Sequence, residues 1–321
     1  MEQGRILRNV RPKTTTDETL TTQGTILRAL AYFDVFQHPL TLDELQRFGA
    51  CIAGSEATLD KALNELEHQG LIEHYAGYYG LNDVRSAVVE RERSEARAIA
   101  RMPKALRMSR LIAKAPFVRA VFISGSLSKG RAAVDSDIDY FIITAPGRLW
   151  VARTLLVLYK KIFLLNSRKD FCVNYFLDTE HLTVEDRNRF TATEVVTLIP
   201  TYGNGTTEAF FSKNAWAFKV YPGARPLPSA EVEIGSGSWK KRLERWLNGA
   251  TGDLLDSWCM NITWRRWRRK FSHLDARTFE LALRTRTYVS KHHPSNFQER
   301  VLDAYKDRMS ALERTIGRQL S

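Results

Sequence analysis

The stretch SGSLSKGRAAVDSDIDYFII, residues 124–143, contains the residues that decide the fold and the chemistry. The run VRAVFIS at 118–124 and the run IDYFIITA at 138–145 have the β-branched and aromatic composition of buried strands. Between them, Gly125 and Ser126 allow the backbone to bend so that N–H groups face a phosphate. The sequence therefore predicts a strand, a tight turn that could face a phosphate, and a second strand. A Gly-Ser turn alone is not specific for that role.

A pair of carboxylates begins the second strand. Asp137 and Asp139 are two residues apart, so strand periodicity places both on one face while Ile138 and Tyr140 point to the other. Adjacent anions repel unless a cation neutralises them, and hard carboxylate oxygens favour Mg²⁺ or Mn²⁺. We therefore predict a metal site at Asp137 and Asp139. The alternative is a polar turn at a strand start, where Asp is common.

Together these residues resemble a known family. Gly125-Ser126, ten intervening residues and Asp137-Ile138-Asp139 are similar to the core of the DNA polymerase β-like nucleotidyltransferase superfamily. The resemblance implies that Gly125 and Ser126 hold the triphosphate of an NTP, here expected to be ATP. It implies that Asp137 and Asp139 are catalytic and hold Mg²⁺ or Mn²⁺ for in-line transfer of a nucleoside monophosphate to a hydroxyl acceptor.

Two cations lie between the turn and the carboxylate pair. Lys129 and Arg131 are expected either to donate to phosphate oxygens or to lie in a solvated loop, and Lys129 is the better candidate for the nucleotide site.

One position departs from the family pattern. Active members usually carry a third carboxylate on a later strand, and the corresponding run FCVNYFLD at 171–178 has Asn174 there. Asp170 and Asp178 flank this strand and, by alternation, are expected to share the face of Asn174, so either is a possible substitute or a plain strand-end residue.

Alternating strands and helices predict an α/β class, an α+β nucleotidyltransferase core with flanking domains. The run 149–165 is expected to be a helix. The charged segment that precedes the core is expected to be a connecting helix broken near Pro103. Residues 239–318 are expected to be helical. The expected organisation is a polar tail at 1–24, a winged-helix-like domain at 25–82, a connecting helix at 83–115, the catalytic core at 116–182 and a mostly helical region at 183–321 with a loop at 221–238.

The winged-helix expectation comes from three short helices followed by a hairpin. Thr41 is a predicted N-cap, and Ala76-Gly77 is the predicted turn between two β-prone runs. The third helix, within EATLDKALNELEHQG, is acidic and so a poor surface for DNA phosphates. A protein-contact or structural role is favoured for this domain.

A basic aromatic segment, TWRRWRRKF at 263–271, has two interpretations. It is either a nucleic-acid or nucleotide-acceptor surface, or a helix that packs Trp264, Trp267 and Phe271 into a core and leaves its arginines solvated. His292 and His293 are expected to be exposed loop residues without a role.

The chain has 321 residues, 44 % apolar residues, a formal charge of +12 and a pI near 9.7, which favours polyanionic partners. Cys51, Cys172 and Cys259 form no CxxC pair, and no run suits a membrane span, so we expect a cytoplasmic protein without a membrane partner. The expected partners are an NTP and a nucleic-acid or small-molecule acceptor. A second hypothesis is a nucleotide-sensing or DNA- or protein-binding regulatory module with a degenerate, non-catalytic core, supported by Asn174.

Overall fold

The computed structural model describes residues 15–49, 56–165, 167, 169–230, 232, 238–293, 295–317 and 319–320. The protein is of mixed α/β class and divides into two compact units. Unit 1 comprises Met1–Val88 and Tyr305–Ser321, and unit 2 comprises Val89–Ala304.

The N-terminal part of unit 1 contains three helices and a small antiparallel sheet in the order β1-β3-β2. The unit also includes the first residues of a fourth helix and, from Tyr305 onward, most of the C-terminal helix. Thr41 begins the second helix with a capping box, because its hydroxyl accepts from the Glu44 N–H and the Glu44 carboxylate accepts from the Thr41 N–H. The expected hairpin around Ala76 and Gly77 is present. The elements are α1 (Thr15–Asp34), β1 (Leu40–Thr41), α2 (Leu42–Phe48), α3 (Glu56–His68), β2 (Glu73–Tyr75) and β3 (Tyr78–Gly80).

The first helix starts earlier than the sequence suggested. Residues 1–24 were expected to form a polar tail, but α1 begins at Thr15, whereas residues 1–14 lie outside the described residues. Thr22 and Gln23 are buried, and the Gln23 amide donates to the Glu65 carboxylate on α3 at 2.7 Å. The Gln23 amide thus has a tertiary hydrogen-bond partner, which composition does not reveal.

Helix α4 (Val84–Ala113) begins in unit 1 and continues into unit 2. The expected break near Pro103 is wrong, since the helix runs through that residue. Pro103 removes one N–H donor and crowds the carbonyl of Ile99, but both residues lie on the exposed side of the helix. Water can satisfy that carbonyl there, so the helix tolerates the proline.

Unit 2 is built on a six-stranded sheet in the order β7-β4-β5-β6-β9-β8. Only β5 and β6 are parallel neighbours; the other pairs are antiparallel. Three strands come from residues beyond 182, so the sheet is larger than the segment 116–182. The strands are β4 (Val118–Ser124), β5 (Asp139–Thr144), β6 (Cys172–Asp178), β7 (Ile199–Tyr202), β8 (Thr285–Arg286) and β9 (Val289–Lys291).

The hairpin of β8 and β9 corrects the expectation that residues 239–318 are helical throughout. The run TRTYVSK is too short for its β propensity to stand out, and its position is fixed by tertiary contacts. β9 pairs with β6, while Arg284 and Lys291 both contact the carboxylate of Asp186 at 2.9 Å.

The two faces of this sheet carry different layers. On one side, the α4 face, the Tyr140 hydroxyl donates to the Ala105 carbonyl, and Val121 and Ile142 share a buried cluster with residues of four helices. On the other side, the α7 face, the ring of Phe210 contacts Phe122 and Phe141. The remaining helices are α5 (Leu149–Phe163), α6 (Arg189–Val196), α7 (Thr206–Lys213), α8 (Ala215–Val220), α9 (Ser238–Trp246), α10 (Ala250–Lys270), α11 (Ala276–Ala282) and α12 (Phe297–Ile316).

Replacing the helical proline provides a test of the α4 interpretation. We expect Pro103→Ala to raise the free energy of unfolding of unit 2 by about 1–3 kcal/mol, because alanine restores the missing N–H donor. Urea unfolding followed by tryptophan fluorescence measures this change. Ile99→Ala, at an exposed position of the same helix, is the control and should change stability by less than about 0.5 kcal/mol. A destabilised Pro103→Ala variant would contradict this account.

Candidate active site

Gly125 and Ser126 lie directly after β4. Ser124 pairs with Asp139 across the sheet, and the chain then turns at Gly125, whose φ is +67°. Ser126 leads into a 3₁₀ turn, Leu127–Lys129, and its carbonyl accepts from the Arg131 N–H at 3.0 Å. The strand, turn and strand predicted from the sequence are therefore present at the expected residues.

The glycine is also required by the carboxylate next to it. A Cβ added to Gly125 would lie 2.4 Å from Oδ2 of Asp139 and 3.1 Å from its Cγ. Any other residue at this position would collide with Asp139 as well as strain the left-handed backbone. The turn and the carboxylate thus occupy one site.

Asp137 and Asp139 alternate with buried residues as predicted. Ile138 and Tyr140 are fully buried, whereas both aspartates are partly exposed. The charge of Asp137 contributes to the raised pKa of Asp139, so the two carboxylates interact electrostatically. Asp139 lies on the α7 face, because Tyr140 points to α4.

The loop between the turn and the carboxylate pair is hydrogen-bonded to α4. Ser94 and Ala132 exchange hydrogen bonds through the serine hydroxyl, and Nε of Arg97 donates to the Ala132 carbonyl at 2.7 Å. Nη1 of Arg101 donates to the Ser136 hydroxyl at 2.8 Å. These contacts fix the chain immediately before Asp137.

The carboxylate of Asp139 lies in an environment that opposes its charge. Burial, followed by the charges of Glu194 and Asp137, raises its pKa to about 6, while hydrogen bonding from the Cys172 thiol and the charge of Lys129 act in the opposite direction. Nδ2 of Asn174 donates to Oδ1 of Asp139 at 2.8 Å. A bound cation would relieve this excess of negative charge.

Neither residue proposed to replace the third carboxylate reaches the site. Asp178 pairs with Thr144 at the opposite end of β6, about 20 Å along the strand, and its carboxylate accepts from the N–H groups of Glu180 and His181. Asp170 pairs with Lys104 of α4 at 2.5 Å, on the other side of the sheet. The expected common face is wrong because a bulge interrupts the register at Asn174 and Asp170 precedes the strand.

Glu194 is an acidic residue of the site that the sequence did not indicate. It lies in α6, and its Oε1 accepts from Nζ of Lys129 at 2.7 Å. It follows Asp139 by 55 residues in a helix with no recognisable pattern, so only the fold brings them together.

Lys129 lies at the site but is already engaged by the protein. Its Nζ donates to the carbonyl of Gly125 at 2.9 Å as well as to Glu194. In this structure it therefore holds the turn in place.

The two histidines were expected to be exposed, and that expectation is wrong. Both are partly buried, and the N–H of His292 donates to the Asn174 carbonyl at 2.8 Å. Burial lowers the pKa of His293 to about 4, with Lys291 acting in the same direction and Glu194 against it. The end of β9 thus borders the site.

The donor set suits magnesium. Asp137 and Asp139 offer hard carboxylate oxygens, and Mg²⁺ is typically held by one or two carboxylates together with substrate phosphates. Among the described residues, no three His, Cys, Asp or Glu side chains are grouped to share one ion. Asp137 and Asp139 remain the candidate ligands for a divalent cation.

The basic aromatic segment lies in α10, away from Asp139. Trp267 and Phe271 are 5 % and 9 % exposed and pack in the core of unit 2, where the Arg153 guanidinium lies 4.8 Å from the centre of the Trp267 ring. The packing interpretation is thus correct for these two residues. Trp264 is 43 % exposed, and the neighbouring arginines are exposed.

No family model matches this chain, and neither curated proteins nor solved structures gave a significant match. Within the described ranges, no helix is both long and apolar enough to cross a bilayer.

Two glycines with the same backbone conformation test the contact between the turn and Asp139. Gly125 and Gly130 have φ of +67° and +68°, but a Cβ on Gly130 meets nothing within 4 Å. Both alanine variants should lose about 1 kcal/mol to backbone strain, and Gly125→Ala should lose at least about 1 kcal/mol more through the clash. Urea denaturation measures both. Equal losses would show that Asp139 does not confine Gly125.

The raised pKa of Asp139 makes a prediction about stability and pH. Because the native pKa is about 6 and the unfolded value is 3.8, the native state holds more protons between pH 4 and 6. The contribution of Asp139 to stability therefore decreases as pH rises through this window. Asp139→Asn should gain stability relative to the unmodified protein, by up to about 3 kcal/mol at pH 7.

The measurement is urea unfolding of both proteins from pH 4 to 7. Asp256, whose pKa burial also raises to about 6, is present in both proteins, so its effect cancels in the difference. A difference that stays constant with pH would mean that Asp139 has an ordinary pKa.

Proposed function

We propose that unit 2 is a metal-dependent nucleotidyltransferase that transfers a nucleoside monophosphate from an NTP, ATP in the first instance, to a hydroxyl acceptor. The observation that carries the proposal is the contact of Gly125 with the Asp139 carboxylate. It joins the phosphate-binding turn and the carboxylate pair in a single site, as that chemistry requires.

Each part of the site has a role in this reaction. Asp137 and Asp139 hold Mg²⁺ or Mn²⁺, which when bound neutralises phosphate charge and activates the hydroxyl. Gly125 and Ser126 place backbone N–H groups toward the triphosphate, and Lys129 fixes that turn. The acceptor oxygen bonds to the α-phosphorus as the bond to the bridging oxygen breaks, and pyrophosphate leaves.

Asn174 affects the mechanism in a defined way. Its amide positions Asp139 by a hydrogen bond but has no basic group to take the hydroxyl proton. The hydroxyl proton would therefore pass to solvent water rather than to this side chain. Glu194, paired with Lys129, contributes negative charge that favours cation binding.

The elements of unit 1 support a winged-helix-like domain. One helix and a short strand are followed by two helices and then by the β2–β3 hairpin, and the three strands form one sheet. Asp60 and Glu67 of α3 are exposed, as is Lys61, which pairs with Glu65. That helix suits a protein contact better than DNA. The acceptor is accordingly proposed to be a nucleic-acid end or a small hydroxylated molecule bound to unit 2.

The second candidate function is a nucleotide sensor without turnover, or a DNA- or protein-binding regulator. Asn174 favours it, because the strand position that usually carries the third carboxylate holds an amide, which cannot act as a general base, and Glu194 is paired with Lys129. A sensor binds NTP and divalent cation but transfers nothing.

Label transfer distinguishes the two functions. Purified protein is incubated with each α-labelled NTP and Mg²⁺ or Mn²⁺, alone and with total cellular RNA, and pyrophosphate release is followed. The variant Asp137→Asn with Asp139→Asn should lose at least about 100-fold in rate, as removal of a transition-state stabiliser commonly does. Asp135→Asn, an exposed aspartate in the same loop, should retain the activity.

The possible outcomes distinguish the enzyme from the sensor. Transfer that depends on the aspartate pair establishes the enzyme and identifies its donor. Nucleotide binding that depends on the pair, without transfer to any acceptor tried, supports the sensor. Transfer that persists in the double variant excludes this site as its source.

A further inference from the structure

Exposed apolar side chains of the described chain are concentrated on three helices of unit 2. Fifteen large apolar residues of the described chain are exposed, and ten of them lie in or directly after α5, α9 and α10. Residues of such size are normally placed in a core, so a cluster of them marks a surface that contacts something apolar. They are Leu158, Ile162, Phe163, Leu165, Trp239, Trp246, Leu254, Trp258, Ile262 and Trp264.

Helix α10 has two opposite faces. Its buried residues, among them Asp256, Cys259 and Trp267, follow one another at helical spacing and pack into unit 2. Directly opposite is a surface that we call the outward face of α10. Besides Asn261, it includes Leu254, Trp258, Ile262, Arg265 and Arg269, with Leu254, Trp258 and Ile262 74 %, 60 % and 46 % exposed.

Helix α9 repeats this combination on a shorter length. Trp239 and Trp246 are 52 % and 70 % exposed and lie on one side of the helix. Arg242 is exposed next to them, and Lys241 and Arg245 are exposed elsewhere on the same helix. Aromatic residues flanked by cations therefore occur on both helices.

The acidic residues of these helices are all engaged by the protein. Glu244 accepts from the Phe117 N–H and from Arg119, and Asp253 pairs with Arg148 at 2.6 Å. Asp256 is buried and accepts from the Val151 N–H. No carboxylate belongs to the outward face of α10, so its charge is purely positive.

The two helices lie on the same side of the sheet. Leu247, directly after α9, clusters with Val151 and Ala152 of α5, and Asp256 of α10 bonds to the same stretch of α5. Trp267 shares the buried cluster of the α4 face. The candidate active site opens on the α7 face, so occupation of the α9–α10 side leaves it free.

We propose that the α9–α10 side of unit 2 docks on an anionic lipid surface. Indole rings prefer the interface between headgroups and acyl chains, Leu254 and Ile262 suit hydrocarbon, and arginines pair with lipid phosphates. The bases of a nucleic acid would stack on aromatic rings, but binding a nucleic acid does not require exposed aliphatic side chains. A second copy of the chain would place Arg265 and Arg269 against each other or against Leu254.

This docking goes beyond the proposed function and does not depend on it. It also changes the expectation from the sequence that the protein has no membrane partner. That expectation concerned helices that span a bilayer, whereas a surface contact needs only an exposed apolar face with cations, which appears once the buried face of α10 is known.

Vesicle co-sedimentation of the full chain tests the proposal. Vesicles of phosphatidylcholine, with and without phosphatidylglycerol, are compared at low and high salt. We expect binding to the anionic vesicles that weakens with salt. The combined change Leu254→Gln, Trp258→Gln and Ile262→Gln should weaken that binding at least about 10-fold, through lost apolar burial. Arg265→Gln with Arg269→Gln should weaken it about 10-fold, through lost attraction to lipid phosphates.

A matched control is available in the same unit. Val89, Ile99 and Val134 are 46 %, 74 % and 69 % exposed and lie outside the three helices, so their combined replacement by Gln should leave vesicle binding unchanged. Circular dichroism verifies that each variant is folded.

Three results would overturn the proposal. The first is no binding to anionic vesicles at low salt. The second is binding that the three-residue change on α10 leaves unaltered or that the control change reduces equally. The third is a gel shift with total RNA, or a dimer in analytical ultracentrifugation, that is lost in the α10 variant while vesicle binding is not detected.

Discussion

Asp139 is held where its charge is poorly solvated, and much of unit 2 is arranged around that carboxylate. It lies at the start of a central strand, against the backbone of Gly125 and under the amide of Asn174. Neighbouring anions and burial both raise its pKa. Such a position destabilises the native state. It is tolerated because the surrounding sheet and the α4 contacts fix the chain on each side. A site that concentrates negative charge in this way is suited to a divalent cation and to the phosphates that accompany it.

The sheet separates this chemistry from packing. On the α4 face, aromatic and aliphatic residues of β4 and β5 form a continuous core with α4, α5 and α10. On the α7 face, Phe122 and Phe141 pack against Phe210, and the polar site lies beyond them at the strand end. Because side chains alternate along a strand, the six residues of β5 contribute to both the core and the site. The outer side of α10 is then left free for a surface role.

Several features followed directly from local sequence. The Gly-Ser turn, the alternation of Asp137 and Asp139 with buried neighbours, and the strands around them depend on residue type at short spacing. The same holds for the Thr41 cap and the Ala76-Gly77 hairpin of unit 1. The errors about helices at Pro103 and at the β8–β9 hairpin arose because tertiary contacts and solvent exposure overrode local propensity.

The sequence by itself therefore determined the mixed α/β class, the position of the turn and the identity of the carboxylate pair, because these depend on strand periodicity and on backbone freedom within about twenty residues. Only the tertiary structure decided that Glu194 and His293 border the site, that Asp170 and Asp178 do not, and that the arginines of α10 share an outward face with exposed aliphatic residues. Those relations join residues far apart in the chain or depend on which side of a helix is buried. Such information is absent from spacing alone, since it arises when the sheet forms and the helices pack against it.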